Sequence, residues 1–172
     1  MQGDLAGTSD WPEGGFPGIR INPVSLLPEI INEDACRAAL ANSTDPADAI
    51  FVLIVEGRAA EAAELLAEAR FKDPESFWLR AFEAEVLRVS HRPDRALELF
   101  RQLLAEFHGT DREALVLQYM GKVQYTSGHI SAAVEAFARA LDLRVARSAD
   151  AALIYSSTVA LQRARDVLDL AC

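Results

Sequence analysis

Three places in the middle of the chain are followed by the same series of residues. Gly57, His91 and Gly128 stand in equivalent positions; Ala62, Ala96 and Ala133 come five residues after each, Leu66, Phe100 and Phe137 four later, and Ala69, Leu103 and Ala140 complete the series. The first interval is 34 residues and the second 37, the excess falling in the loop "EFHGTD". Between these markers the apolar residues recur at helical spacing. A chain with this recurrence folds as a stack of similar helical units, each packed against its neighbours.

Punctuation along the chain divides these units into helices. Asp45-Pro46 and Asp73-Pro74 each place a capping carboxylate before a proline suited to the first helical turn. Thr110 followed by Glu113 has capping-box spacing, and Gly57 and Gly128 stand where a left-handed residue closes a helix. The pattern predicts helices over about 26–42, 46–56, 59–71, 74–90, 93–107, 111–127, 130–143 and 149–170, with no strand pattern to compete. Before them, "WPEGGFPGIRINP" is rich in Gly and Pro and has no period, so residues 1–25 are expected to form an extended, partly flexible arm. Within it, Phe16 to Ile21 are expected to dock on the body, with the first ten residues mobile.

At this point the repeat resembles the tetratricopeptide repeat, a helix–turn–helix unit of about 34 residues. The family's opening pattern, W-x2-L-G-x2-Y and then A-x3-F, falls on Leu117, Met120, Gly121 and Gln124, then on Ala133 and Phe137. Gly121 therefore acquires a steric reason. Small residues there and at Ala133 are expected to let two helices approach closely, so that leucine overpacks position 121 whereas alanine is tolerated. The resemblance covers about residues 46–145; the tryptophan and tyrosine of the pattern are missing from every unit. It implies an all-α fold, a right-handed superhelix of antiparallel helix hairpins. The domain would span residues 26–172, with repeats at about 43–74, 75–110 and 111–146 and a capping helix at 149–170. That last helix would turn Gln162, Arg163, Arg165 and Asp166 to solvent.

Composition excludes several function classes. A net charge of −9 and scattered basic residues argue against nucleic acid as a partner. No run approaches the ~20 apolar residues of a membrane helix, and "MQGDLAGTSD" lacks the character of a signal peptide, so no membrane association and a cytoplasmic protein are expected. Cys36 and Cys172 fit no metal or redox spacing and are expected to be free thiols. There is no nucleophile elbow, zinc-binding helix or phosphate loop, and His91, His108 and His129 fall near predicted turns without partners at ligand spacing. No catalytic residue, metal or cofactor is assigned, and an enzyme is not expected.

Function must then lie in a surface. The resemblance implies that the first helix of each pair lines a concave groove for a peptide or partner segment. The repeat offset assigns to that groove Trp78, Ala81, Glu85 and Arg88 in one unit and Leu115, Gln118, Lys122 and Tyr125 in the next. Flanking them are Thr44, Ala47, Phe51 and Ile54 before, and Ala149, Ala152, Ser156 and Val159 after. The expected role is a protein-binding adaptor, scaffold or small chaperone. The alternative is a self-associating or regulatory module whose groove is filled by its own arm or by a second copy, which leaves a homo-oligomer open. Trp11 and Phe16 of the arm are candidate anchors for a partner's pocket, against a plain loosely ordered tail.

Overall fold

The computed structural model describes residues 3–171. Among them, the chain forms two short strands, β1 (Ile19–Ile21) and β2 (Pro28–Ile30), followed by α1 (Glu33–Ala41), α2 (Pro46–Val55), α3 (Ala59–Lys72) and α4 (Phe77–Val89). Then come α5 (Pro93–Glu106), α6 (Glu113–Thr126), α7 (Ile130–Ala146) and α8 (Ala151–Leu170). Successive helices pack as hairpins, α2 on α3, α4 on α5, α6 on α7, and α8 closes against α7. The fold is all-α and of the tetratricopeptide-like helical-repeat kind.

The repeated alanines explain why hairpins form. Ala62, Ala96 and Ala133 are each 0% exposed, so the second helix of every pair meets its partner without an intervening side chain. Bulky residues one turn further on, Phe100 and Phe137, then fill the space between pairs and are themselves fully buried. Gly121 faces this layer and not Ala133. An added Cβ would sit 2.5 Å from Phe137 Cε1 and 2.6 Å from Cδ1, so the sequence expectation that alanine is harmless at this position is corrected.

The helix ends share one closure. Gly57 and Gly128 have φ of +74° and +89°, as their place in the sequence predicts. The N–H of the following residue donates five residues back each time: Arg58 to Leu53 O at 2.9 Å, and His129 to Gln124 O at 2.8 Å. His91 and Ser148 make the same turn without being glycine, at φ of +61° and +53°, with Arg92 donating to Leu87 O and Ala149 to Arg144 O. A left-handed residue with a Cβ costs roughly 1–2 kcal/mol. His91→Gly, at an exposed position, is therefore expected to stabilise the protein by about 0.5–1 kcal/mol, read as a higher denaturant midpoint; an unchanged or lower midpoint contradicts the shared closure.

Several predicted boundaries move. Asp45 does accept from Ala47 N–H at 2.9 Å and Pro46 opens α2. Asp73, however, ends α3, and the next helix starts at Phe77 behind Ser76, whose Oγ accepts from Leu79 N–H. The Thr110 capping box is also replaced. Glu113 Oε2 accepts from Gly109 N–H at 2.8 Å and its Oε1 lies 3.0 Å from His108 Nδ1, because the three-residue insertion swings the loop back over the helix start. The Gly109 N–H, more than His108, holds this carboxyl below the ordinary carboxylate value despite its desolvation.

The largest departure lies at the N-terminus. The predicted helix 26–42 begins only at Glu33, capped by Asn32 Oδ1 accepting from Ala35 N–H, and the residues before it form β2. β1 and β2 pair antiparallel, Ile19 with Ile30 and Ile21 with Pro28. Three-residue strands are too short to carry a period-2 signal, which is why none is visible in the sequence. At the hairpin's base, buried Ile19 packs with Cys36 of α1 and Val52 of α2, and Phe16 joins this cluster. Upstream, Leu5 N–H donates to Ile31 O, and Thr8 is buried. Cys36 is a free, buried thiol, whereas Cys172 lies outside the described residues.

Candidate partner-binding groove

The tip of the hairpin reaches the far end of the stack. Asn22 Oδ1 accepts from Val24 N–H at 2.8 Å and from Ser25 N–H at 3.2 Å, a turn that aspartate and asparagine form readily. Two residues on, Leu26 adopts φ of +61° and is 3% exposed, seated among Ala133, Phe137, Ala160, Leu161 and Ala164 of α7 and α8. Beside it, Val24 O accepts from Tyr125 Oη at 2.7 Å and from Arg163 Nε at 3.0 Å. Tyr155 Oη donates to Asp10 O at 2.6 Å. Arg163, expected on a wet outer face, instead points to the hairpin, since the bare carbonyl of Val24 needs a donor once the tip is docked.

Between the hairpin and the helices lies a cavity of about 200 Å³. Its helical wall comes from Phe51 of α2, Trp78 of α4, Leu115, Gln118 and Lys122 of α6, and Ser156 of α8. These are the places the repeat offset assigns to the groove. Gly14, Ile21, Leu26 and Pro28 of the N-terminal segment form the opposite wall. Trp78 keeps 40% of its surface exposed and contacts Phe77 and Phe82 at ring-centroid distances of 5.5 and 5.7 Å. The other expected residues sit differently. Ala81 is 0% exposed within the core between α4 and α5, Arg88 lines a separate open depression near Ile54, Val89 and Ser127, and Tyr125 holds the hairpin tip.

Glu85 is buried and shared by two cations. Its Oε1 accepts from Lys122 Nζ and its Oε2 from Arg88 Nε at 2.9 Å. Burial alone pushes this carboxyl up, but Arg88 and Lys122 together outweigh it and hold the group below the ordinary carboxylate value. Burial pushes Lys122 down to about 8, with Glu85 opposing. The Lys122 ammonium also lies 4.4 Å from the centre of the Tyr119 ring. This arrangement spans two repeats, because Glu85 is on α4 and Lys122 on α6.

Four helical contributors to the cavity wall escape the repeat offset: Tyr119, Phe137, Arg144 and Leu153. Arg144 lies on the second helix of its pair and one residue beyond the predicted end of that helix, so a search confined to first helices passes over it. The hairpin wall escapes for a different reason. Its place over the groove depends on contacts between residues more than a hundred positions apart, such as Val24 with Tyr125.

A set of helix hairpins stacked so that their first helices line one face defines a helical-repeat protein. Residues 53–118 match the family model for the tetratricopeptide repeat, so this stretch of the chain is similar to that family's repeats. No curated protein and no solved structure matches it. Repeats of this family generally mediate protein–protein interaction and are typically non-enzymatic. Among the described residues no helix is long and apolar enough to cross a membrane, and no group of three or more His, Cys, Asp or Glu is arranged to hold a metal ion.

Proposed function

We propose that this chain is a protein-interaction module whose groove, lined by α2, α4, α6 and α8, is held by its own N-terminal hairpin, and that a partner segment enters by replacing the hairpin tip. The observation that carries this reading is the seat of Leu26. An apolar side chain is buried between α7 and α8 while the neighbouring backbone carbonyl is taken by Tyr125 and Arg163. An apolar anchor beside a hydrogen-bonded main chain is the usual way a groove holds an extended segment. The left-handed backbone at Leu26 stores strain of ~1 kcal/mol or more, which favours a competitor that fits without it. Adaptor and small-chaperone roles share this groove and differ in the occupant. A second copy supplying its hairpin in trans is the self-associating form.

The test uses the hairpin itself as probe. Leu26→Asp places a carboxylate in the apolar seat and is expected to release the tip while circular dichroism retains the helical signal. A synthetic peptide spanning residues 16–32 should then bind the variant at least about tenfold more tightly than wild type, whose groove is filled. Trp78→Ala in the same background should weaken that binding. Equal affinity for the variant and wild type, with the tip amides exposed to hydrogen exchange only in the variant, would remove the competition reading. Light scattering on wild type separates the self-associating form.

A further inference from the structure

Among the described residues, no acid at the cavity answers the charge of Arg144. It is 5% exposed, and its Nη1 donates to Leu153 O at 3.1 Å and to Ser157 Oγ at 2.8 Å. Ser157 in turn donates to Gln118 Oε1 at 2.7 Å. Both of these partners of Arg144 are neutral. The one carboxylate buried nearby, Glu85, already commits both oxygens to Lys122 and Arg88, and Glu13 on the hairpin side of the cavity makes no ion pair with Arg144. Burial lowers the guanidinium's pKa to about 10, and the phenol of Tyr119 is the opposing influence. At neutral pH the group remains charged, in a protein whose net charge is −9.

A buried cation normally has a counter-charge, because desolvation of an isolated charge is costly. Here the cavity beside it supplies the space for one. Its remaining lining combines apolar side chains, among them Leu115, Phe137 and Leu153, with the polar groups of Glu13, Gln118, Lys122 and Ser156. A purely apolar cavity of ~150 Å³ accommodates benzene. A volume of about 200 Å³ leaves room for a ring and one carboxylate.

We propose that the cavity between the hairpin and the helices α6 to α8 is a binding site for a small aromatic monocarboxylate, with the carboxylate on Arg144 and the ring against Leu115, Phe137 and Leu153. Lys122 sits on the same wall and adds a second cation, though one already shared with Glu85. A free small molecule fits the volume better than an acidic peptide, because Gly14, Ile21 and Leu26 already occupy one side of the groove while the hairpin is docked. The site is complete only while the hairpin is docked, since Ile21 and Leu26 form part of its wall. Its ligand would bind the closed form and hold the hairpin down.

Calorimetric titration of the full chain with phenylacetate and with the neutral 2-phenylethanol tests the assignment. The acid is expected to bind about tenfold or more tightly than the alcohol, the usual scale of a charge-assisted hydrogen bond. Arg144→Gln should abolish the preference, and Ser156→Leu, which fills the cavity from α8 without touching Arg144, should abolish binding of both probes with the thermal midpoint retained. Where Arg144→Gln fails to fold, Ser156→Leu and the acid-to-alcohol ratio carry the test. Equal binding of acid and alcohol, undiminished acid binding in Ser156→Leu, or no saturable binding at millimolar phenylacetate each overturns the proposal. A decapeptide with a free C-terminal carboxylate forms the last arm. Tight binding of it, with loss of hydrogen-exchange protection in the hairpin, would reassign Arg144 to a peptide terminus.

Discussion

Glu85→Gln is expected to destabilise the protein by ~3–5 kcal/mol at neutral pH, the cost of removing one member of a buried ion pair and leaving the other uncompensated. The carboxylate is 2% exposed and holds two cations, so the amide that replaces it leaves Lys122 and Arg88 facing each other in low dielectric. Lys122, already lowered to about 8, loses the partner that raises it and should titrate lower still. The pH dependence follows from the direction of the Glu85 shift. Its folded value lies below its unfolded value, so the unfolded chain binds more protons in between. The stabilisation is complete above the ordinary carboxylate range and is lost as pH falls through the folded value. Urea melts of wild type and variant should therefore converge in acid. A gap that stays constant from pH 7 to pH 3, or a variant as stable as wild type at pH 7, would show that the triad contributes no net stability.

Gly121 carries the second large effect. Phe137 is 1% exposed and its ring edge occupies the space where a Cβ would project, at 2.5 Å. The ring is held by Leu26, Ala133, Ala160 and Leu161, so it has little room to yield. Alanine gains ~1 kcal/mol of helix propensity, against overpacking of ~1–3 kcal/mol, and a net loss of about 1 kcal/mol is expected from Gly121→Ala. Gly121→Leu forces the whole ring aside and should lose upwards of ~3 kcal/mol. Both losses should shrink when Phe137 is changed to leucine in the same chain, since the two residues touch and their effects cannot add. A double-mutant cycle without coupling would place the collision elsewhere.

The two variants probe opposite sides of the groove wall. Glu85 ties α4 to α6 through Lys122, and Phe137 supports both Gly121 and the Leu26 seat. Loss of the first should loosen neighbouring repeats. Loss of the second should loosen the hairpin tip as well, so hydrogen exchange at Leu26 and Leu27 should rise in Gly121→Leu before the helices of the first pair are affected.

What was legible in the sequence was whatever repeats locally. The alanines at 62, 96 and 133 mark close helix contacts, and the glycines at 57 and 128 mark left-handed ends. The offset from Trp78 to Leu115 and from Glu85 to Lys122 places side chains on one face, because a helix of fixed pitch converts sequence spacing into direction. Even the pairing of Glu85 with Arg88 and Lys122 is consistent with that register. Boundaries shifted where loops overrode a local signal. Asp73 became the end of one helix instead of the start of the next, and Thr110 yielded its capping partner to the Gly109 N–H once the inserted residues changed the loop's path.

The sequence by itself determined the helices, their pairing and the face that the first helix of each pair presents, since all three follow from contacts within one repeat length. Tertiary structure alone decided that Gly121 meets Phe137, that Arg144 ends beside the cavity without an acid, and that residues 19–30 form a hairpin over the groove. Those outcomes depend on surfaces assembled from distant segments. The strands are too short to be stable alone, and they persist because Ile19 finds Cys36 and Val52 at one end while Leu26 finds α7 and α8 at the other. No local pattern encodes a seat built from residues more than a hundred positions away; it comes into being only when the repeats have stacked.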